Sequence, residues 1–160
     1  MSYRIGLGTD FHQLVTGRKL FLGGIEIPHS KGSLGHSDAD VLLHAICDAL
    51  LGALSLGDIG IHFPDTDQNL KGIDSKILLA KTFQIVREKG WSVVNLDSVI
   101  CLEKPKIMEY NGQMRTIIAS LLDTNPDDIS IKATTTEKLG FVGREDGIMA
   151  QAVVLLRKPD

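Results

Sequence analysis

The stretch from Val41 to Leu54 constrains the fold more than any other, because most of its residues are apolar. Its length and the Gly57 that follows predict a helix of about four turns. Ser37 is the predicted N-cap, and Asp38 and Asp40 place acidic groups in the first turn. Since apolar residues surround most of the circumference, other elements have to cover this helix on nearly every side.

Further strands and helices alternate loosely along the chain. The predicted strands are Tyr3 to Asp10, Lys19 to Ile27 with a bend at Gly23-Gly24, Trp91 to Leu102, Ile129 to Ala133 and Ile148 to Leu156. The other predicted helices run from Asp74 or Ser75 to about Lys89 and from Ile107 to Leu122. This alternation predicts an α/β (α+β) fold, a single layered domain over residues 1–160 with helices packed on a mixed β-sheet. The last strand is almost wholly apolar, so either helices cover both its faces or one face meets another subunit.

Composition narrows the function classes. The 160 residues carry 17 Lys and Arg against 20 Asp and Glu, a net charge of −3, which argues against a nucleic-acid partner held through its phosphates. No apolar run approaches the roughly 20 residues that a membrane-spanning helix needs. Only two cysteines are present, Cys47 and Cys101, which excludes a disulfide framework and predicts a reducing, cytoplasmic location.

All five histidines fall within the first 62 residues, which predicts that the chemistry is concentrated there. Asp10 and His12 are two residues apart at the end of the first strand, so their side chains share one face. The helix offers Asp40, His44 and Asp48 at intervals of four, a polar stripe on an apolar helix. If that stripe faces the strand, Asp10, His12 and His44 form a two-histidine, one-carboxylate site of the kind that holds catalytic zinc.

Two points about this predicted metal site remain open from spacing alone. Asp48 or a nearby carbonyl could orient one of the imidazoles. Alternatively, Asp-x-His is a common pattern, and His44 could be a hydrogen-bonded core histidine without a metal.

Two segments have the composition of phosphate-binding sites. His36-Ser37-Asp38 stands where a loop leads into the helix, and the N–H groups of a helix N-terminus favour phosphate, although simple capping would use the same residues. Thr134 to Gly140 follows a strand and combines three hydroxyls with Glu137, a carboxylate that could hold Mg²⁺. The alternative for this segment is β-propensity followed by a capped turn.

Several single residues have two interpretations. Arg144 is either an anion clamp or a surface arginine paired with Glu145. The carboxylates of Asp58, Asp65 and Asp67 either bind polyol hydroxyls or solvate the loop of residues 57–73.

Five segments occur in one order along the chain and are specific in combination. They are Asp10-Phe11-His12, Gly35 to Val41 with His44, Leu56 to Gly60, Phe63 to Asp67, and Lys132 to Phe141. With these segments the chain resembles the 2-C-methyl-D-erythritol 2,4-cyclodiphosphate synthase family of the non-mevalonate isoprenoid pathway, from about Arg4 to Leu156. The resemblance implies cyclisation of 4-diphosphocytidyl-2-C-methyl-D-erythritol 2-phosphate with release of CMP. It also implies a homotrimer with active sites between neighbouring subunits. The lack of an Arg/Ser-rich leader favours a bacterial cytoplasmic protein over a plastid protein trimmed of its transit peptide.

The resemblance further implies cofactors and site residues. Zn²⁺ would be bound by Asp10, His12 and His44, the first two also touching substrate, and Mg²⁺ or Mn²⁺ would be bound at Glu137. Residues implied to hold the methylerythritol and its phosphates are His36, Ser37, Asp58, Ile59, Gly60, Phe63, Pro64, Asp65, Thr66 and Asp67. Residues implied to hold cytidine diphosphate from the adjoining subunit are Leu102, Glu103, Lys104, Pro105, Lys106, Ile107, Met108, Thr134, Thr135, Thr136 and Glu137.

The resemblance also implies catalytic roles and an axial ligand, and the chain departs from the family pattern at two places. His36 and Thr135 are implied to be catalytic, and Phe141 and Arg144 complete the site. An isoprenoid diphosphate is implied in a cavity on the trimer axis near Arg144. Thr9 stands where many members carry Phe, which makes that cavity less apolar, and Leu102-Glu103-Lys104 also departs from many members.

Two rival functions share parts of this pattern. A zinc phosphoesterase would use the same metal site but needs a metal-bound water and a general base. A non-catalytic sensor of nucleotide or isoprenoid diphosphate would not need the full set of metal ligands.

Overall fold

The computed structural model describes residues 1–159, which form a five-stranded mixed sheet with helices on one face. The strands are β1 (Ser2–Thr16), β2 (Leu20–Leu22), β3 (Ile25–Ile27), β4 (Lys31–Leu34), β5 (Ser92–Cys101), β6 (Ile129–Thr134) and β7 (Gly147–Lys158). The helices are α1 (Val41–Ala53), α2 (Ile59–His62), α3 (Ser75–Glu88), α4 (Asn111–Leu121) and α5 (Gly140–Gly143). The sheet order is β4-β1-β7-β5-β6, with only β5 and β6 parallel, which confirms the predicted mixed sheet. Within residues 1–159, no helix has both the length and the hydropathy of a membrane span.

Helix α1 lies directly against strand β1 because both elements present small residues at the contact. A Cβ atom at Gly6 would lie 1.9 Å from the carbonyl oxygen of Ala49, and one at Gly8 would lie 1.9 Å from that of Ala45. No side chain fits such a gap, so glycine is required at both positions. Ten of the thirteen residues of α1 are buried, which confirms the predicted central helix.

The opposite face of the sheet is uncovered. The odd-numbered residues of β1 point to this face, where Ile5 is 72% exposed, Leu7 62% and Phe11 55%. Val153 on β7 is also exposed, while its even-numbered neighbours are buried. Among residues 1–159, helices therefore do not cover both faces of the last strand, and the alternative, that one face meets another subunit, stays a prediction.

Helix α1 begins later than predicted. Its N-cap is Asp40 rather than Ser37, and the Asp40 carboxylate accepts the N–H of Leu43 at 3.1 Å. The same buried carboxylate accepts the N–H groups of Gly23 at 3.0 Å and Gly24 at 2.7 Å. Asp40 therefore ties the helix to the β2–β3 turn and does not extend the polar stripe towards β1, because its acceptor capacity is used by backbone donors.

Two other predicted boundaries are corrected. The strand predicted from Lys19 to Ile27 is a hairpin of β2 and β3, because Gly23-Gly24 adopts positive φ values of 59° and 85° and reverses the chain. The helix predicted from Ile107 starts at Asn111, after a single 3₁₀ turn at Met108–Tyr110.

Candidate metal centre and active site

The three residues predicted to bind a metal converge where β1 meets the first turns of α1. Asp10 Oδ2 lies 2.9 Å from His12 Nε2 and 3.1 Å from His44 Nδ1, and the two ring nitrogens are 3.2 Å apart. Asp10 and His12 continue the face of β1 on which Gly8 packs, and His44 is next to Ala45 on α1. The close packing of strand on helix therefore brings the three ligands together, as the residue spacing predicted.

The geometry of these atoms fits a small divalent cation. Ligands about 2.0 Å from a tetrahedral zinc ion lie roughly 3.3 Å from one another. The separations of 2.9, 3.1 and 3.2 Å are close to that value. Asp10, His12 and His44 can therefore hold a divalent metal, and three protein ligands leave one position open, as in catalytic sites.

A backbone carbonyl fixes the orientation of His12. Its Nδ1 lies 3.0 Å from the carbonyl oxygen of Leu34, which can only accept a hydrogen bond. Nδ1–H is therefore the donor, and the Nε2 lone pair points at the centre. Asp48, the other residue predicted to orient an imidazole, instead accepts the N–H of Ile59 at 2.7 Å. Of the two predicted possibilities, a nearby carbonyl is therefore the correct one for His12.

A buried hydroxyl and a carboxylate orient His44. Its Nε2 lies 2.9 Å from Ser75 Oγ, and the Ser75 hydroxyl donates a short hydrogen bond to Asp38. Since the serine proton is used in that bond, its oxygen accepts from His44 Nε2–H and leaves the Nδ1 lone pair free for a cation. The spacing of the residues does not predict this link, because 31 residues separate Ser75 from His44 and Ser75 stands at the predicted start of another helix.

The charges of the three groups are coupled. Burial by itself raises the pKa of Asp10, but hydrogen bonds and charge from His12 and His44 outweigh it and hold that pKa well below its usual range. Burial lowers the pKa of His44, but the hydrogen bond and charge of Asp10 outweigh it and raise the pKa. Asp10 is therefore ionised, and a cation that binds here displaces a proton from His44.

One cavity of about 470 Å³ contains His12 and His44 together with His36 and Ser37, the residues predicted to contact phosphate. Its wall also includes residues implied to hold methylerythritol, namely Ile59, Gly60, Phe63, Pro64, Asp65 and Thr66. The rest of the wall is apolar and was not predicted from the sequence; it consists of Leu70, Ile73 and Leu78. Their apolar side chains gave no sign that separated them from core residues. The cavity therefore combines a cation site, polar groups and apolar surface, as ligand sites do.

Two residues of the implied methylerythritol set do not line this cavity. The Asp58 carboxylate caps α2 and accepts the N–H of Ile61 at 3.1 Å. The Asp67 carboxylate accepts the N–H of Asn69 at 2.9 Å, while its carbonyl accepts from His36 Nε2 at 3.3 Å. Asp67 therefore orients His36 through its backbone.

A second pocket of about 290 Å³ lies at the ends of β5 and β6. Its lining residues are Leu102, Glu103, Pro105, Lys106, Ile107, Met108, Ala133, Thr134 and Thr135. Strand β7 lies between β1 and β5, and the two pockets share no lining residue. Within one chain the residues implied to hold cytidine diphosphate are therefore apart from the metal centre.

Glu137 stands apart from the three metal ligands. Its side chain is exposed, and Thr135 Oγ1 donates to its carboxylate at 3.3 Å. In the part of the chain that the structure describes, Asp10, His12 and His44 form the one cluster of three or more potential ligands. Thr136 and Lys104 lie nearby but do not line the second pocket.

Phe141 and Arg144 lie beside the outer end of β1. The ring of Phe141 packs against Phe11 with ring centroids 6.0 Å apart. Arg144 Nε donates to Asp146 at 2.8 Å, so the suggested pairing of Arg144 with Glu145 is wrong. Glu145 lies near Lys104 instead, at 3.5 Å.

The fold is an α/β domain in which a strand and a buried helix position Asp10, His12 and His44 to hold a cation with one open position. This arrangement is typical of metalloenzymes. Comparison with known proteins narrows this class. The model of the YgbB family matches residues 3–157. The chain is 58% identical over 160 residues to 2-C-methyl-D-erythritol 2,4-cyclodiphosphate synthase of Phocaeicola vulgatus, with 100% of both chains covered.

Solved structures agree with that comparison. The chain is similar to a 2C-methyl-D-erythritol-2,4-cyclodiphosphate synthase in a CDP-bound form, with a TM-score of 0.89 and 38% identity over 96% of this chain and 100% of that one. It is also similar to the bifunctional IspDF of Campylobacter jejuni, with a TM-score of 0.95 and 41% identity over 99% of this chain but only 43% of that one. The chain belongs to the YgbB family.

Proposed function

We propose that this protein converts 4-diphosphocytidyl-2-C-methyl-D-erythritol 2-phosphate to 2-C-methyl-D-erythritol 2,4-cyclodiphosphate and CMP, in isoprenoid biosynthesis by the non-mevalonate pathway. Such an enzyme is a phosphorus-oxygen lyase. The observation that carries the proposal is the single cavity in which the Asp10, His12 and His44 centre faces His36 and Ser37 and the segment from Ile59 to Thr66. A relative that is 58% identical over the whole chain is named 2-C-methyl-D-erythritol 2,4-cyclodiphosphate synthase.

The proposed cofactors are Zn²⁺ at Asp10, His12 and His44 and Mg²⁺ or Mn²⁺ at Glu137. Imidazole nitrogens with one carboxylate suit Zn²⁺, whereas an exposed carboxylate beside substrate phosphates suits Mg²⁺. The 2.9 to 3.2 Å ligand separations and the fixed lone pairs of both histidines support the first assignment.

The proposed reaction is an internal phosphoryl transfer. An oxygen of the 2-phosphate forms a bond to the β-phosphorus, the bond from that phosphorus to the bridging oxygen breaks, and its electron pair leaves with CMP. The 2-phosphate is already anionic, so no side chain has to remove a proton from the nucleophile. When bound, the two cations supply positive charge that offsets the repulsion between the phosphates and stabilises the leaving group.

The side chains contribute mainly by positioning. The Asp67 carbonyl orients the His36 ring, and Ser37 lies beside it in the same cavity wall, where the Ser37 hydroxyl can donate to a phosphate oxygen. Thr135 would contact the diphosphate from the second pocket. Holding the two ends of one substrate together supplies much of the barrier reduction, because it replaces the search for a reactive conformation.

The proposed assembly is a homotrimer in which the second pocket of one subunit meets the metal cavity of its neighbour. Two observations support it, namely the distance between the two pockets in one chain and the uncovered apolar face of β1 and β7. On that face Gln151 Nε2 donates to Thr9 Oγ1 at 3.4 Å, which would give the proposed axial cavity a polar floor. An isoprenoid diphosphate near Arg144 is the proposed axial ligand.

We also propose a cytoplasmic location. Cys47 is buried and Cys101 half-buried, and both are free thiols, as expected under reducing conditions.

The test is incubation of the purified protein with the cytidyl diphosphate substrate, Zn²⁺ and Mg²⁺, followed by phosphorus NMR. The expected products are a cyclic diphosphate and CMP in equal amounts. A linear phosphate that carries oxygen from solvent would identify the rival phosphoesterase. Binding without turnover would identify the rival sensor.

A further inference from the structure

We propose that Glu103 is a positioning residue, which holds the segment Thr134 to Leu139 in a strained conformation that the nucleotide half of the site requires. This inference rests on the proposed function. It assigns a role to the Glu103 side chain in a segment that departs from many members of the family.

The Glu103 carboxylate joins the two walls of the second pocket. Its Oε1 accepts the backbone N–H of Thr136 at 3.0 Å and that of Lys138 at 3.2 Å. The two walls are otherwise connected by the backbone bond from Leu102 N–H to the Thr134 carbonyl at 3.0 Å, where the parallel pairing of β5 and β6 ends. Beyond that point one side chain supplies the acceptor for two N–H groups of the facing segment.

The segment that Glu103 holds is conformationally strained. Glu137 and Lys138 are consecutive non-glycine residues with φ values of 52° and 65°, in the left-handed region. This conformation costs free energy for any residue with a Cβ atom, and it persists only where the surroundings fix it. The Thr136 hydroxyl donates to the Leu139 carbonyl at 2.7 Å and closes the turn from the other side.

The strain determines where the proposed ligand groups lie. Thr135 precedes the Thr136 N–H that Glu103 accepts, and Glu137 lies between the two anchored N–H groups. If the carboxylate is removed, both N–H groups lose their acceptor, and Glu137 and Lys138 can relax to negative φ. The hydroxyl of Thr135 and the carboxylate of Glu137 then lose their fixed places beside the pocket.

The first measurement needs no ligand. Amide hydrogen exchange at Thr136 and Lys138, followed by NMR, should be at least about tenfold faster in Glu103→Ala than in the unaltered protein. Glu103→Gln is the matched control, because the amide oxygen can accept both N–H groups. Its exchange rates should stay within about threefold of the unaltered protein.

The second measurement is the affinity for CDP by calorimetry. Glu103→Ala should weaken CDP binding by about tenfold, and Glu103→Gln should weaken it by less than about threefold. Zinc binding at Asp10, His12 and His44 should be the same in all three proteins, which verifies that the variants are folded.

A second substitution separates positioning from direct contact. In Glu103→Ala, the further change Lys138→Gly removes the cost of the left-handed conformation and should restore most of the CDP affinity. Lys138→Ala in the same background removes the lysine charge but keeps the strain, so it should restore nothing. A group that touched the nucleotide directly would not be rescued by a glycine outside the pocket.

Three results would overturn the proposal. These are unchanged amide exchange in Glu103→Ala, a Glu103→Gln variant as impaired as Glu103→Ala, and equal effects of Lys138→Gly and Lys138→Ala. If the unaltered protein does not bind CDP, the proposed function fails in its nucleotide half. The exchange rates of Thr136 and Lys138 still decide whether Glu103 holds the segment.

Discussion

In the metal half of the site each ligand projects from a regular element and is held by hydrogen bonds, whereas strand ends and loops form the nucleotide half. The His12 and His44 side chains are only 15% and 12% exposed. In the second pocket Met108 is 87% exposed. The difference is consistent with the proposed assembly, in which one chain supplies the whole metal half and a neighbouring subunit brings its nucleotide half to it.

The largest effect is expected from Asp10→Ala, which removes a ligand from the metal half only. Loss of the carboxylate should reduce formation of the cyclic diphosphate by roughly a thousandfold or more, because two imidazoles without the anionic ligand hold the cation too weakly. Phosphorus NMR of the product measures this. CDP affinity should be unchanged, and a parallel loss of CDP binding would contradict the separation of the two halves.

The next largest effect tests the proposed assembly. Leu7→Glu places a charge on the uncovered sheet face, and it should convert trimers to monomers and lower turnover by about a hundredfold. Zinc binding should persist, since the ligands of one chain are complete. Light scattering, a zinc titration and the product assay measure the three quantities.

A matched control for the assembly test is Ile77→Glu. Ile77 is 47% exposed on α3, away from the sheet face, so the same change of charge should leave both the mass and the turnover unaltered. Full activity of a monomeric Leu7→Glu protein would show that the two pockets do not have to meet.

A smaller effect is expected from Asp38→Asn, which acts on the metal half through Ser75. An amide can donate to the serine oxygen, which turns the hydroxyl proton towards His44 Nε2 and favours the tautomer with a proton on Nδ1. Zinc affinity should fall by about ten- to a hundredfold. Competition with a chelator measures it, and nitrogen NMR of His44 reports the tautomer. If zinc affinity falls while the His44 tautomer stays the same, Asp38 acts only by holding the loop before α1 and not through the Ser75 hydroxyl.

The smallest expected effect is the change with pH in the melting temperature of the metal-free protein, which comes from the metal half. The pKa of His44 is raised, so the stabilisation from its pairing with Asp10 is complete below about pH 6.5 and is lost as the pH rises through the raised value. The pKa of Asp10 is lowered, so its contribution is lost only in acid, below about pH 4. Metal-free protein should therefore melt at a lower temperature at about pH 8.5 than at about pH 6.

Zinc should reverse the sign of this pH dependence. A cation displaces the His44 proton, so the rise in melting temperature on adding zinc should be larger at the higher pH. Asp10→Asn removes the charge that raises the pKa of His44, and metal-free Asp10→Asn protein should show a flatter profile over the same range. The pairing of His44 with Asp10 would be contradicted if the melting temperature of the metal-free protein rises with pH and Asp10→Asn shows the same profile.

The sequence predicts the metal half well because period-2 and period-4 spacings report directly which side chains share a face. Asp10, His12 and His44 met as those spacings required. Spacing does not report which backbone groups are close, and for that reason the cap at Asp40 and the carbonyl of Leu34 were not identified. Asp40 reads as part of the polar stripe, but its carboxylate is used by the N–H groups of two distant glycines.

In the nucleotide half, composition alone predicts phosphate binding between Thr134 and Gly140, and only the resemblance to a family predicts cytidine diphosphate. The strand that ends before Thr134 is visible in the sequence, but positive φ at Glu137 and Lys138 is not, since neither residue favours that conformation. The bond from Glu103 to Lys138 spans 35 residues and depends on the parallel pairing of β5 with β6, which no local pattern encodes. Long-range register of this kind requires the folded structure.

The contact of Gly6 and Gly8 with the backbone of α1 also determines how this protein can respond to an inhibitor. Beside the metal ligands, backbone touches backbone with no side chain to exchange, and we call this contact the floor. A substitution that moved this floor would separate Asp10 and His12 from His44 and cost the organism the enzyme. Resistance would therefore have to arise by substitution in the outer wall, between Ile59 and Thr66. Compounds that bind at the metal ligands and avoid that segment should keep their potency longest.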